Sequence, residues 1–101
     1  MGTSKRYAAH YDRRMNDKIL EGVMASRVPT SLTKEELELD EQPLTRTPSP
    51  QPVTAWVRYG ETAVKVDGLL VAWTPRAVAV RWETPGGEHR AWLWSSATRP
   101  R

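Results

Sequence analysis

The sequence predicts an α+β protein that is mainly β. It reads as an N-terminal amphipathic helix, a short second helix, a Pro-rich linker, and then a small antiparallel β-barrel of four or five strands. Three observations predict this. From Val53 onward, short apolar runs with strand-like alternation are cut by turn residues. Residues 4–25 repeat apolar side chains at helical spacing. Pro43, Pro48, Pro50 and Pro52 separate the two regions. The expected division is a helical arm over 1–27, a capped helix with linker over 28–52, and the barrel over 53–101.

The arm carries Tyr7, Tyr11, Met15, Ile19 and Val23 every four residues, so they line one stripe, with Lys5, Arg6, Asp12, Arg13, Asn16 and Asp17 mostly on the other side. Thr3 or Ser4 is placed to cap its start, and Gly22 weakens its last turn, so an end near that residue is expected. An isolated helix of this length is marginal in water unless its stripe docks. The plainer reading packs the stripe on the barrel or on a second copy. The sharper one makes Tyr7, Tyr11 and Met15 a docking surface for another protein.

Ser31-Leu32-Thr33-Lys34-Glu35-Glu36-Leu37 is the clearest local signal. Thr33 as N-cap puts Glu36 at the third helical position, which completes a capping box, and Leu32 and Leu37 have the spacing of a hydrophobic staple. A helix from Lys34 to about Leu39 follows. The acids Glu35, Glu36, Glu38, Asp40 and Glu41 read as favourable charge at the helix N-terminus and a solvated face, ahead of any acid–base or metal role. The prolines after them exclude helix and suit an extended connector.

Within the last 49 residues, Val53, Ala55, Val57 and Tyr59 fall on one face of a first strand and Thr54, Trp56 and Arg58 on the other, with Gly60 ending it. A second strand runs from Thr62 to Trp73, and Gly68 inside it marks a bulge, a bend or a tight turn. Arg76 to Glu83 alternates with Val78, Val80 and Trp82 toward a core. Thr84-Pro85-Gly86-Gly87 makes a hairpin, and Glu88 to Ser95 returns antiparallel. Ser95-Ser96-Ala97 suits one tight turn before a short last strand at Thr98–Arg99, which Pro100 stops.

Strands of this length, one interrupted in its middle and the last reached through a one-turn corner, resemble the SH3-like small barrels. Over the whole chain, the runs TSKRYAAHYD, SLTKEELELD, AWVRYG, VAWTPRAVAV and AWLWSSA resemble small uncharacterised actinobacterial proteins. Neither resemblance brings an activity or a functional residue with it, because SH3-like folds serve many unrelated roles.

The chain of 101 residues has no cysteine, so disulfides and thiolate metal sites are excluded. No stretch approaches the roughly 18 consecutive apolar residues of a membrane span, and the N-terminus lacks a signal-peptide apolar block, so a soluble, unprocessed, cytoplasmic protein is expected. Formal net charge is +3. It is laid out as basic, acidic and basic: six Lys/Arg against three acids over 1–27, two against five over 28–52, and seven against four over 53–101. Arginine makes up eleven of the fifteen cations, which suits phosphate or carboxylate contacts but also follows from GC-rich coding. A barrel of 49 residues sits near the lower size limit for a self-sufficient core. Either the arm packs back on it or the protein self-associates.

No catalytic, cofactor or metal motif stands out, and no small-molecule substrate is implied. His10 and His89 have no companions at ligand spacing, and Gly86-Gly87 belongs to a turn. The expectation is therefore a non-enzymatic module without cofactor. Five tryptophans in 49 residues exceed what so small a core encloses. Trp82 belongs to the core by alternation, while one or more of Trp56, Trp92 and Trp94 should be exposed. They either cover the barrel end or form a binding platform edged by Arg58, Arg81 and Arg90. A protein-interaction or assembly module follows, in the setting of a mobile element or phage. The alternative is a nucleic-acid-binding barrel that uses arginines and exposed tryptophans.

Overall fold

The longest pairing joins β1 (Thr45–Tyr59) to β2 (Thr62–Trp73) in an antiparallel hairpin. The computed structural model describes residues 21–101. Tyr59 pairs with Thr62 across Gly60-Glu61, and Gly60 takes φ 65°. A two-residue loop with positive φ at its first position has the twist that antiparallel strands need. That turn fixes the register, and the alternation of β1 does the rest. Val53, Ala55, Val57 and Tyr59 are buried, and their neighbours face outward.

β3 (Ala77–Thr84) pairs with the second half of β2, and β4 (Gly87–Trp94) returns along β3. Thr74 closes the β2–β3 corner. Its N–H donates to Ala77 O, and its buried hydroxyl accepts from Arg76 and Ala77 N–H. A single 3-10 turn, Ser95–Ala97, leads to β5 (Thr98–Pro100), which lies against Val53–Ala55 of β1. The core joins Val53, Ala55, Val57 and Tyr59 to Val64, Val66, Val78, Val80, Trp82, Ala91 and Leu93.

The strand order is β4-β3-β2-β1-β5, a five-stranded antiparallel open sheet, so the closed barrel expected from the sequence is corrected. β5 has only three residues and pairs with β1 alone, at Val53–Ala55, so β4 keeps an outer edge without a strand and the sheet stays open. The gap is bridged from elsewhere. Thr30 N–H donates to Arg58 O of β1 (2.7 Å) and Leu32 N–H to Trp92 O of β4 (2.9 Å), while Trp92 N–H donates to Ser31 Oγ (2.8 Å). Residues 30–32 thus serve the outer edges of two strands without forming one.

α1 (Lys34–Leu37) follows directly, with both halves of the capping box made: Glu36 N–H to Thr33 Oγ1 and Thr33 N–H to the Glu36 carboxylate. It is shorter than expected because Glu38 turns into the left-handed region, φ 47°, and caps it. Leu37 is its buried anchor, 6% exposed.

One further expectation changes. The Pro-rich stretch is not only a connector, since residues 45–52 belong to β1. Thr45 and Arg46 pair with Trp73 and Ala72, and the register then shifts before Gln51. The prolines are tolerated because β5 reaches β1 only at Val53–Ala55, leaving the earlier residues on an edge. Residues 21–26 are helical, in keeping with the end of the helix read over residues 4–25; the rest of that reading, with Tyr7, Tyr11 and Met15, lies outside the described residues. Val23 and Met24 pack against the core, and a Cβ on Gly86 would stand 3.2 Å from Ala25 O, so this helix end touches the β3–β4 hairpin.

Gly68 marks a close approach between strands. The register shift of β2 lies further on, between Leu70 and Ala72. A Cβ on Gly68 would come within 2.6 Å of Arg81 O and 2.9 Å of Val80 Cγ1. Gly68→Ala is expected to lower stability by about 1–3 kcal/mol through forced separation of β2 and β3, visible as a lower thermal midpoint. Leu37→Ala is expected to cost about 2–5 kcal/mol; unchanged melting would show that α1 does not belong to the cooperative fold.

Candidate functional site

The bent sheet presents two outer faces with different chemistry, and the sequence-predicted residues divide between them. On the β3–β4 ladder the pairs that alternate away from the core are Ala77, itself covered, with Trp94, Ala79 with Trp92, Arg81 with Arg90, and Glu83 with Glu88. Two arginines directly across a ladder repel each other. Glu88 offsets this by reaching both: Arg90 Nε at 2.7 Å and Arg81 Nη1 at 3.8 Å. The hydrogen bond from Arg90 holds the Glu88 carboxyl below its ordinary value, with the charges of Arg90 and Arg81 adding to it and partial desolvation opposing.

Trp92 is half-buried and forms one wall of a groove of about 220 Å³. Val71, Ala72, Ala79, Val80 and Ala91 contribute its apolar lining, and Ser31, Arg46 and Arg90 its polar part. Ser31 arrives because its hydroxyl accepts the Trp92 N–H, and Arg46 because β1 pairs with Ala72. Trp94, on the same strand face, is 41% exposed.

The face of β5, β1 and β2 is separate. The β1–β2 register sets Trp56 across from Lys65 and Arg58 across from Ala63, while β5 brings Arg99 beside Thr54. Trp56 is 54% exposed, the most open of the tryptophans. Trp56 and Arg58 therefore do not share a platform with Trp92, Trp94, Arg81 and Arg90. Lys65 and Arg46 were missed by the sequence reading. Lys65 had a signal in its outward position between Val64 and Val66, which the Gly60-Glu61 turn register pairs with Trp56. Arg46 had none while its segment read as linker.

Behind both faces lies a buried polar chain. Trp82 Nε1–H donates to the Tyr59 phenol oxygen (3.0 Å), and that oxygen lies 2.7 Å from His89 Nδ1. The Tyr59 oxygen accepts from Trp82, and the direction of its bond with His89 follows the imidazole tautomer. His89 thus has a structural partner, with its ring edge-on to Trp82. Among the described residues no group of three or more His, Cys, Asp or Glu is placed to hold a metal ion, and no helix is long and apolar enough to cross a membrane.

Comparison with protein-family models, with curated proteins and with solved structures gives no match.

Burial raises the Tyr59 phenol above its ordinary value of 10.0, with the hydrogen bond from Trp82 partly offsetting it. The folded state then keeps a proton that the unfolded chain loses, so stability is expected to fall as pH rises through and beyond about 10. Tyr59→Phe removes this part of the alkaline slope. It also costs about 1–3 kcal/mol near neutrality, because Trp82 Nε1 and His89 lose their buried partner. Denaturant melts of both proteins across pH 7–11 check the two effects together.

Proposed function

We propose that this chain is a non-enzymatic interaction module on an SH3-like framework, and that its Trp92 groove takes an extended segment of a partner protein. The strand order, the break within β2 and the one-turn corner before β5 support the SH3-like reading, with residues 30–32 standing in the gap that strand pairing leaves open. The groove carries the binding reading. Its floor is apolar, Trp92 walls it, and the two charged side chains on it, Arg46 and Arg90, are both cationic. Such a lining suits an apolar side chain followed or preceded by a carboxylate, with the aromatic wall supplying desolvated contact and an arginine orienting the acid.

Nucleic acid fits this groove less well. Arg81 and Arg90 are drawn onto Glu88, and Glu83 stands across the ladder from it, so the surface beside Trp92 has mixed charge.

Selection of a random peptide library on the full chain is expected to enrich an apolar residue flanked by Asp or Glu. Arg46→Glu should weaken the selected peptides by about 1 kcal/mol or more while leaving the melting curve in place, since Arg46 is exposed. Enrichment without acids, or binding untouched by Arg46→Glu, overturns the reading.

A further inference from the structure

The outer face around Trp56, where β5 and the first half of β2 flank the second half of β1, contributes no residue to that groove, and its composition points to a different ligand. Three cations stand around one exposed indole. Lys65 is directly across the ladder from Trp56, Arg58 is two residues further on the same strand face, and Arg99 sits diagonally through its pairing with Thr54. Side chains in these relations lie within about 5–8 Å of one another at Cβ. Among the described residues none of the three has a carboxylate within ion-pair distance, in contrast to Arg76, Arg81, Arg90 and Arg101. The acid that shares the face, Asp67, is engaged at its far end by Arg101 (3.8 Å) and by the Thr54 hydroxyl (3.4 Å).

We infer that this face binds single-stranded nucleic acid, with Trp56 as the stacking surface and Arg58, Lys65 and Arg99 as phosphate contacts. An indole left 54% exposed offers its ring to a base, and every base has a π-face regardless of sequence. Unpaired cations on three sides of it match the backbone that runs past each stacked base. The recess of about 200 Å³ beside Trp56, walled by Ser96, Ala97 and Arg99, gives the base an edge to rest against. A duplex hides its base faces in its own stack, so only a single strand can use the indole. A protein ligand is disfavoured here because Ala63 and Ala97 are the apolar neighbours of Trp56 on this face, too little area for an apolar anchor.

The test uses the full chain and fluorescence anisotropy of labelled oligo(dT) and oligo(U) over a salt series. A same-length duplex and polyglutamate serve as competitors. Three phosphate contacts on a single strand predict a slope of log K against log salt of about −2, and Lys65→Ala or Arg99→Ala each should make it shallower by about 0.7. Trp56→Ala should weaken binding roughly fivefold or more without changing the slope, and Trp56→Phe should restore most of it. Melting curves should not move, since the indole is exposed. Trp92→Ala and Arg46→Glu should leave oligonucleotide binding intact, so failure of the groove reading and failure of this one are separately visible. Absence of binding at low salt, competition by polyglutamate as strong as by the single strand, or unchanged affinity in Trp56→Ala overturns the inference.

Discussion

The edges of the sheet are the constraint on which the rest depends. A strand edge carries unpaired N–H and C=O groups that must find water or a partner, and an open edge invites another chain. Here β4 and the far end of β1 are left without a strand neighbour, because β5 pairs with β1 alone and begins at Thr98, opposite Ala55. Residues 30–32 answer both, giving Thr30 N–H to Arg58 and Leu32 N–H with Ser31 Oγ to Trp92. The segment is held at its two ends by apolar contacts: Val23 and Met24 before it and Leu37 after it. A core without disulfides gains its missing surface in the same step that satisfies its backbone.

The same alternation that builds the core writes the two outer faces. Because side chains reverse on each residue, burying Val53, Ala55, Val57 and Tyr59 obliges Thr54, Trp56 and Arg58 to point out, and burying Val78, Val80 and Trp82 does so for Ala79 and Arg81. What differs is the neighbour supplied by the ladder. Arg81 meets Arg90 and a glutamate that reaches both, whereas Trp56 meets Lys65, and the acid on that face, Asp67, is engaged by Arg101 and Thr54. Charge on one face is spent internally and on the other it is left to solvent.

Much of this was legible in the sequence. The five strands, the hairpin at Thr84–Gly87, the one-turn corner and the capping box all rest on local rules, and local rules are what a single sequence exposes. Three things were not legible, each for a physical reason. Prolines in 45–52 argue against a ladder only if both edges are used, and that depends on how far β5 extends. Gly68 announced an irregularity, but whether it bends, bulges or lets Arg81 approach is decided by the strand beside it. The tryptophans could be divided into inward and outward sets, but not into separate faces, because that division needs the curvature of β2 between its two partners.

β1 is the element through which the two faces are joined. Its first part places Arg46 on the Trp92 groove and its second places Trp56 and Arg58 on the opposite surface, with the register shift between Arg46 and Gln51 dividing them. In that shift Thr47 Oγ1 accepts from Ser49 N–H and donates to Ser49 O, so two polar groups of the irregular stretch find their partner locally. A bulge of this kind changes the direction of the strand without loosening the pairing on either side. The groove therefore draws on the segment at Ser31 and the start of β1, and the basic face on the β1–β2 hairpin and β5. The two surfaces are also linked through residues 30–32, where Thr30 N–H reaches Arg58 O and Ser31 Oγ takes the Trp92 N–H. The two proposed ligand surfaces share that backbone segment and differ in their side chains, Arg46 and Trp92 lining one and Trp56, Lys65 and Arg99 the other.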